Sequence, residues 1–418
     1  MIITILVNYA GAILLDKHYS SRQRLWIVSL TIVLDLSFLF YFKYFNFVVD
    51  NINGVLATDF QLLDVIMPIG ISFYTFQAMS YLIDVYRREV PAQKDVYKLA
   101  LYIVLFPQLV AGPIVKYHDV CEQIDNRTIE FKNVIIGFKR FITGLAKKVL
   151  IANTLAEVVD KIFAQAPENL TTGVSWLGAV AYCLQLYYDF SGYSDMAIGL
   201  GLMFGFRFLE NFNYPYISKS ITEFWRRWHI SLATWFKLYL YIPLGGNRKG
   251  AVRTYWNLFA VFLVTGIWHG AAWSYVAWGI WNGIFIVIER FFGLDKDKND
   301  RWYVSAAKHV YAFFAIVWGM IIFRAESLSY AYEYICRMLH IDVTKHLPDY
   351  DYGVNNKFAI MLIVGLICAM PVCRNLIYIK YEHKVQRTLV NIWLFLLFFW
   401  STISLAASTY NPFIYFRF

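Results

Sequence analysis

The sequence predicts an all-α, polytopic helical membrane protein, with one membrane domain covering residues 1–418. Three observations carry that expectation: the bulk composition, the long apolar runs, and the position of the basic residues between them. Of 418 residues, 59% are hydrophobic, 19% aromatic and only 16% charged. Soluble domains are nearer half apolar and a quarter charged. Runs such as 26–42, 275–288 and 388–409 supply apolar segments suited to a hydrocarbon core ~30 Å thick. The net charge of +9 does not point to nucleic acid. Its lysines and arginines form short clusters between apolar runs, where cytoplasmic loops carry them, with some added attraction to anionic lipid.

In chain order, spans are expected at 1–15, 25–42, 62–85, 141–160, 174–204, 254–270, 271–288, 303–323, 358–373 and 388–407. Basic segments then fall on one side: Lys17, Arg22 and Arg24; Arg87 and Arg88; Lys139, Arg140, Lys147 and Lys148; Arg248, Lys249 and Arg253; 290–301; and 380–387. The other loops, 50–61, 164–173 and 325–357 with Asp342, Asp349 and Asp351, are neutral or acidic. The basic side is therefore expected in the cytoplasm. Segment 99–115 is apolar but has cytoplasmic flanks, and Pro107, Gly112 and Pro113 interrupt it. Irregular backbone at membrane depth is tolerated only within protein or beside a cavity, so FPQLVAGP is expected to be re-entrant. The N-terminus lacks the basic lead and cleavage site of a secretory signal. Five scattered cysteines have no zinc-site or disulfide spacing, and no metal is expected.

Polar residues inside spans are costly and usually face a cavity or a partner. Gln185, Asp189 and Gly192 share one helical face, whereas Asp195 points elsewhere on a regular helix. They fit either a network joining helices or a cavity lining. Between Thr222 and Gly250, Trp225, Trp228, Leu232, Trp235 and Tyr239 form an apolar stripe opposite Arg226, Arg227, Thr234 and Lys237. This pattern predicts an interfacial amphipathic helix capped by Thr222, with Glu223 paired to Arg226 or Arg227. Arg226, Arg227, Arg248 and Lys249 are candidates for binding an anionic donor; a helix resting on acidic headgroups fits equally well. His229 leans toward the aromatic stripe. Lastly, Trp268 and His269 lie between Gly266 and Gly270, which are expected to share a face with His269 and leave room for a helix or ligand. A neutral imidazole there can accept a proton, as a general base must. A structural histidine satisfied by its neighbours fits the same pattern.

A series of stretches, in order, resembles the membrane-bound O-acyltransferase family, in its bacterial branch acting on polysaccharides such as alginate. They are YFKYFNF (41–47), SFYTFQAMSYLIDVYRRE (72–89), FPQLVAGPI (106–114), YYDFSGYSDMAIGL (187–200), FNYPYISKSITEFWRRWHISL (212–232), YLYIPLGGNRKG (239–250), TGIWHGAAW (265–273) and NPFIYFRF (411–418). The resemblance implies a ring of helices around a funnel or tunnel. It implies O-acyl, chiefly acetyl, transfer from cytoplasmic acetyl-CoA to an extracytoplasmic glycan across the inner membrane, with an esterase-like exported acyltransferase as partner. His269 matches the family's essential histidine and His229 its second motif histidine; Gln185, Asp189, Asp195 and Trp268 are, from their own placement, candidates for supporting the cavity. Relatives usually begin with further helices, so the chain is expected to be shortened at its N-terminus. Leu238 stands where many relatives carry a carboxylate. Two other classes fit the same polar clusters: a transporter or flippase, and a non-catalytic scaffold of a cell-envelope modification complex.

Overall fold

A computed structural model describes residues 1–17, 19–294, 300–340, 350–373, 384–408 and 410. The NPFIYFRF stretch, Asp342, Asp349, Lys380 and the middle of the 290–301 basic segment lie outside the described residues. Helices are the only regular elements among those described. Spans expected at 174–204, 254–270, 271–288, 303–323 and 388–407 fall on helices Thr172–Met203, Ala251–His269, Trp273–Phe292, Trp302–Arg324 and Lys384–Ala407. Segments Ser21–Leu56, Trp302–Arg324 and Val385–Ala407 are long and apolar enough to cross a bilayer. The protein is a polytopic helical membrane protein.

Several boundaries move for identifiable reasons. Helix Ser21–Leu39 continues through a π-helical turn, Phe40–Tyr44, into Phe45–Leu56, so much of the loop expected at 50–61 is helical. The span expected at 62–85 begins only at Ile71. Before it, the side chain of Asn46 brackets Leu63, accepting from its N–H at 2.8 Å and donating to its carbonyl at 2.9 Å. Asn53 brackets Phe60 in the same way, so backbone groups outside any helix are satisfied locally. Gly70 then turns the chain at φ +74°, where a Cβ would lie 2.5 Å from the Leu109 carbonyl. The segment expected to be a loop at 325–357 contains helix Leu328–Met338, capped by Ser327. Its Tyr334 is buried and donates to the Ser175 carbonyl at 2.9 Å. Around FPQLVAGP the helices are Val96–Val104 and Phe106–Leu109, followed by non-helical chain to Tyr117. Pro107, Gln108, Ala111, Ile114 and Val115 are buried, so this irregular backbone lies within protein.

The chain forms two compact units interleaved in sequence. The first comprises Met1–Phe138, Ala197–Leu209 and Thr234–Pro243. Helix Ile71–Arg87 is buried along most of its length in this unit. Phe76 stacks on Trp235 at 3.8 Å, and the Trp235 indole donates to the Phe76 carbonyl at 3.0 Å. Tyr239 donates to Asp84 at 2.8 Å, while Arg87 donates to the Leu238 carbonyl at 3.0 Å. A buried Asn8 donates to both oxygens of a buried Asp35 at 2.9 Å, joining two apolar helices.

The second unit comprises Lys139–Met196, Glu210–Ala233 and Leu244–Phe418. Helix Phe131–Ala146 runs on through a π-helical segment, Lys147–Ala152, into Asn153–Phe163. It crosses helix Thr172–Met203 at two glycines. A Cβ on Gly144 would sit 2.5 Å from the Gly192 carbonyl, and one on Gly192 would sit 2.8 Å from the Gly144 carbonyl. Small residues allow this backbone approach in a setting where hydrophobic burial does not drive helices together. The crossing generates a prediction. Gly192→Leu forces bulk against backbone and should destabilise the protein by about 1–3 kcal/mol, seen as a lower Tm in detergent. Gly54 is the control: it is exposed, and a Cβ added there would meet nothing within 4 Å. Its replacement by Ala should leave Tm unchanged or raise it.

Candidate functional site

His229 sits in a break rather than in the continuous amphipathic helix expected. Helix Ile221–Arg227 ends at Trp228, His229 adopts φ +46°, and helix Ile230–Phe236 begins after it. The left-handed region disfavours a bulky side chain, so surrounding contacts must hold this conformation. The N-cap is Ser220, not Thr222: the Ser220 hydroxyl accepts from the Glu223 N–H at 3.0 Å. The fully buried Glu289 takes the N–H groups of Ile221 at 2.5 Å and Thr222 at 2.8 Å. A carboxylate there satisfies otherwise orphaned donors and complements the helix dipole. Tyr311 donates to the same carboxylate at 3.1 Å.

Asn211 secures the far side of the break. Its backbone carbonyl accepts from Ile230 N–H at 3.0 Å, and its side-chain oxygen accepts from Ser231 N–H at 3.1 Å. The same oxygen lies 2.9 Å from Ser231 Oγ and 3.2 Å from His229 Nδ1. Asn211 Nδ2 donates to Ser194 Oγ at 3.1 Å. The His229 imidazole is 1% exposed and meets Phe190 edge-to-face at 4.6 Å. Burial pushes its pKa well below the usual imidazole value, to about 3. The stripe residues Trp225, Trp228, Leu232, Trp235 and Tyr239 are all buried, which corrects the expectation of an apolar face resting on lipid. Trp225, for example, donates to Asn282 at 3.0 Å.

His269 is the last residue of helix Ala251–His269 and is 8% exposed. Three rings surround it: Trp268 at 4.9 Å, Trp278 at 5.0 Å and Phe323 at 5.1 Å. Gly266 lies against Gly279 and the Tyr275 carbonyl of the next helix. Gly270 is extended and outside the helix, so it does not share a helical face with His269 as expected; the Tyr275 ring packs against it. The glycines therefore admit protein rather than ligand. Trp268, 4% exposed, lies 6.5 Å from the His229 ring as well as beside His269. The fold thus gathers both histidines around one buried indole although they are far apart in sequence.

The acidic residues of the long helix are placed in separate ion pairs. Gln185 is buried on that unbroken helix, Asp189 pairs with Lys148 at 2.5 Å, and Gly192 forms the crossing. Asp195 takes Arg140 at 2.8 Å and Lys147 at 2.6 Å, and Arg140 also pairs with Glu210. The two aspartates are thus not an acid/base pair. Of the donor-binding candidates, Arg227 pairs with Glu223 at 2.9 Å, while Arg226, Arg248 and Lys249 are exposed. Among the described residues, no group of His, Cys, Asp and Glu is arranged to hold a metal ion.

Asn211 and Glu289 were missed in the sequence. Glu289 adjoins Arg290 at the end of an apolar run, and Asn211 directly precedes the FNYPYISKSITEFWRRWHISL stretch. Their partners lie 17 to 20 and 22 to 68 residues away, beyond any local pattern.

Residues 93–329 match the model of the MBOAT, membrane-bound O-acyltransferase family. The chain is 43% identical over 420 aligned positions to a probable alginate O-acetylase of Pseudomonas putida, covering 94% of this chain and 84% of that protein. It is 50% identical over 312 positions to a probable alginate O-acetylase of Pseudomonas aeruginosa, covering 74% of this chain but only 59% of that relative's length. A peptidoglycan O-acetyltransferase of Helicobacter pylori is 32% identical over 422 positions, covering 91% of this chain and 78% of that protein.

The ion pairs generate a further prediction. Asp195→Asn leaves Arg140 and Lys147, both largely buried, short of negative charge. The loss should be on the order of 3 kcal/mol, measured as a fall in Tm that a Glu223→Gln change at the partly exposed Arg227 pair does not match.

Proposed function

The chain belongs to the membrane-bound O-acyltransferase family, and from that premise we propose that it transfers acyl groups, acetyl foremost, from a cytoplasmic thioester to cell-surface polysaccharide. The observation that supports this reading best is the pair of buried histidines packed against Trp268. The donor proposed is acetyl-CoA, whose phosphates would be met by some of Arg226, Arg227, Arg248 and Lys249 at a cytoplasmic mouth. The membrane is proposed to be the inner membrane. The printed names of the relatives, alginate O-acetylase and peptidoglycan O-acetyltransferase, support a glycan as final acceptor.

In the proposed step, an acceptor hydroxyl oxygen attacks the thioester carbonyl carbon, forming the C–O bond. Neutral His269 takes the hydroxyl proton through its ring. The tetrahedral intermediate expels the thiolate as the C–S bond breaks, and the proton passes from His269 to sulfur, leaving an ester and a free thiol. His229 orients the acceptor or polarises the acyl oxygen. The rings of Trp268, Trp278 and Phe323 exclude water around His269, which protects the thioester from hydrolysis. The hydroxyl belongs to the glycan itself or to an exported esterase-like partner that completes the transfer.

Purified protein in vesicles should cleave radiolabelled acetyl-CoA and release free thiol. His269→Ala, inserted and folded normally, should lower that rate ~100-fold or more, the scale of a lost general base. Unchanged cleavage by His269→Ala would remove this residue from the chemistry. Movement of a labelled glycan across the vesicle by wild-type protein without thioester cleavage would favour a flippase instead.

A further inference from the structure

The hydrogen bonds around Asn211 determine which ring nitrogen of His229 carries the proton, and with it what His229 can do. The Ser231 backbone N–H can only donate, so the Asn211 atom facing it at 3.1 Å must be the amide oxygen. A flipped amide would set NH2 against N–H. The contact from Asn211 Nδ2 to Ser194 Oγ at 3.1 Å agrees with that orientation. His229 Nδ1 faces the same oxygen at 3.2 Å. With a lone pair on Nδ1, two lone pairs would oppose each other; with a proton there, the contact is a hydrogen bond. Ser231 Oγ, 3.4 Å from Nδ1 and 2.9 Å from the Asn211 oxygen, fits a hydroxyl that donates to the amide and shares the imidazole N–H.

We infer that Asn211 is a positioning residue that fixes His229 as the Nδ1–H tautomer, making Nε2 a hydrogen-bond acceptor for a neighbouring hydroxyl of the acceptor and excluding it as an oxyanion donor. This rests on the acyltransfer reading above and decides between the two roles given there to His229. Deep burial supports it by disfavouring a second proton on the ring. A neutral imidazole protonated at Nδ1 has only a lone pair at Nε2. That lone pair receives an O–H; it cannot stabilise negative charge growing on a carbonyl oxygen. His229 therefore acts only as a hydrogen-bond acceptor, holding a hydroxyl of the acceptor other than the one whose proton His269 takes, and oxyanion stabilisation comes from another group.

The test uses full-length protein. Nitrogen NMR of histidine-labelled protein in nanodiscs, with His229 assigned by substitution, should report a protonated Nδ1 and an unprotonated Nε2 at neutral pH. A proton on Nε2 overturns the proposal whatever the protein's activity. In the thioester-cleavage assay, His229→Asn keeps an amide N–H near the Nδ1 position, lacks Nε2, and tolerates the left-handed backbone. It should fold with a wild-type Tm and lose activity ~100-fold; full activity would overturn the role of Nε2. Asn211→Asp, which retains an acceptor oxygen, should keep most activity, and Asn211→Leu should lose it. In the His229→Asn background, Asn211→Leu should cause little further loss; an undiminished further loss would show that Asn211 does not act through His229. If wild-type protein cleaves no thioester, the acyltransfer reading fails, while the NMR result still decides the tautomer.

Discussion

Polar groups buried in a membrane protein have no bulk water to fall back on, and the satisfaction of those groups underlies much of this structure. Asn8 covers Asp35, Tyr239 covers Asp84, and Lys148 covers Asp189. Arg140 and Lys147 share Asp195, and Glu289 closes the start of a helix that has only seven residues. Removing one member of such a set exposes the other to the full cost of an unpaired polar group in an apolar setting. Breaking such a pair therefore costs more than the intact pair adds in net stability.

The same constraint explains how a strained residue can persist in the candidate site. Helices Ile221–Arg227 and Ile230–Phe236 are each too short to be stable alone, and His229 between them has a positive φ. Glu289 and Ser220 satisfy the beginning of the first, and Asn211 satisfies the beginning of the second. Held from both sides, the break turns the imidazole into a pocket of rings. A continuous helix would carry position 229 on its surface in regular sequence with Trp225 and Trp228. The interruption thus converts a surface pattern into an interior site, at a conformational cost of order 1–3 kcal/mol.

Much of the helix layout was legible because apolar length and charge placement are local properties. The long helix Thr172–Met203 and the pair Ala251–His269 and Trp273–Phe292 lie close to their expected bounds. Errors gathered where a local signal had a remote competitor. Thr222 looked like a cap, but Glu289 supplies its N–H with a partner and Ser220 takes the capping position. Gly270 looked like a helical neighbour of His269, but the helix stops at the histidine and the glycine makes room for Tyr275. The aromatic stripe looked lipid-facing because periodicity identifies an apolar face without saying what covers it.

By itself the sequence determined that the chain is a helical membrane protein and which family's motifs it carries, with His229 and His269 lying within them. Those properties depend on composition, local periodicity and side-chain chemistry, all written in single residues and their near neighbours. Tertiary structure alone decided that Trp268 stands beside both imidazoles, that Asp189 and Asp195 are held by different cations, and that Asn211 faces His229 Nδ1. Hydrogen bonds and ring contacts act over about 3–7 Å, and only folding brings such distant positions within that range.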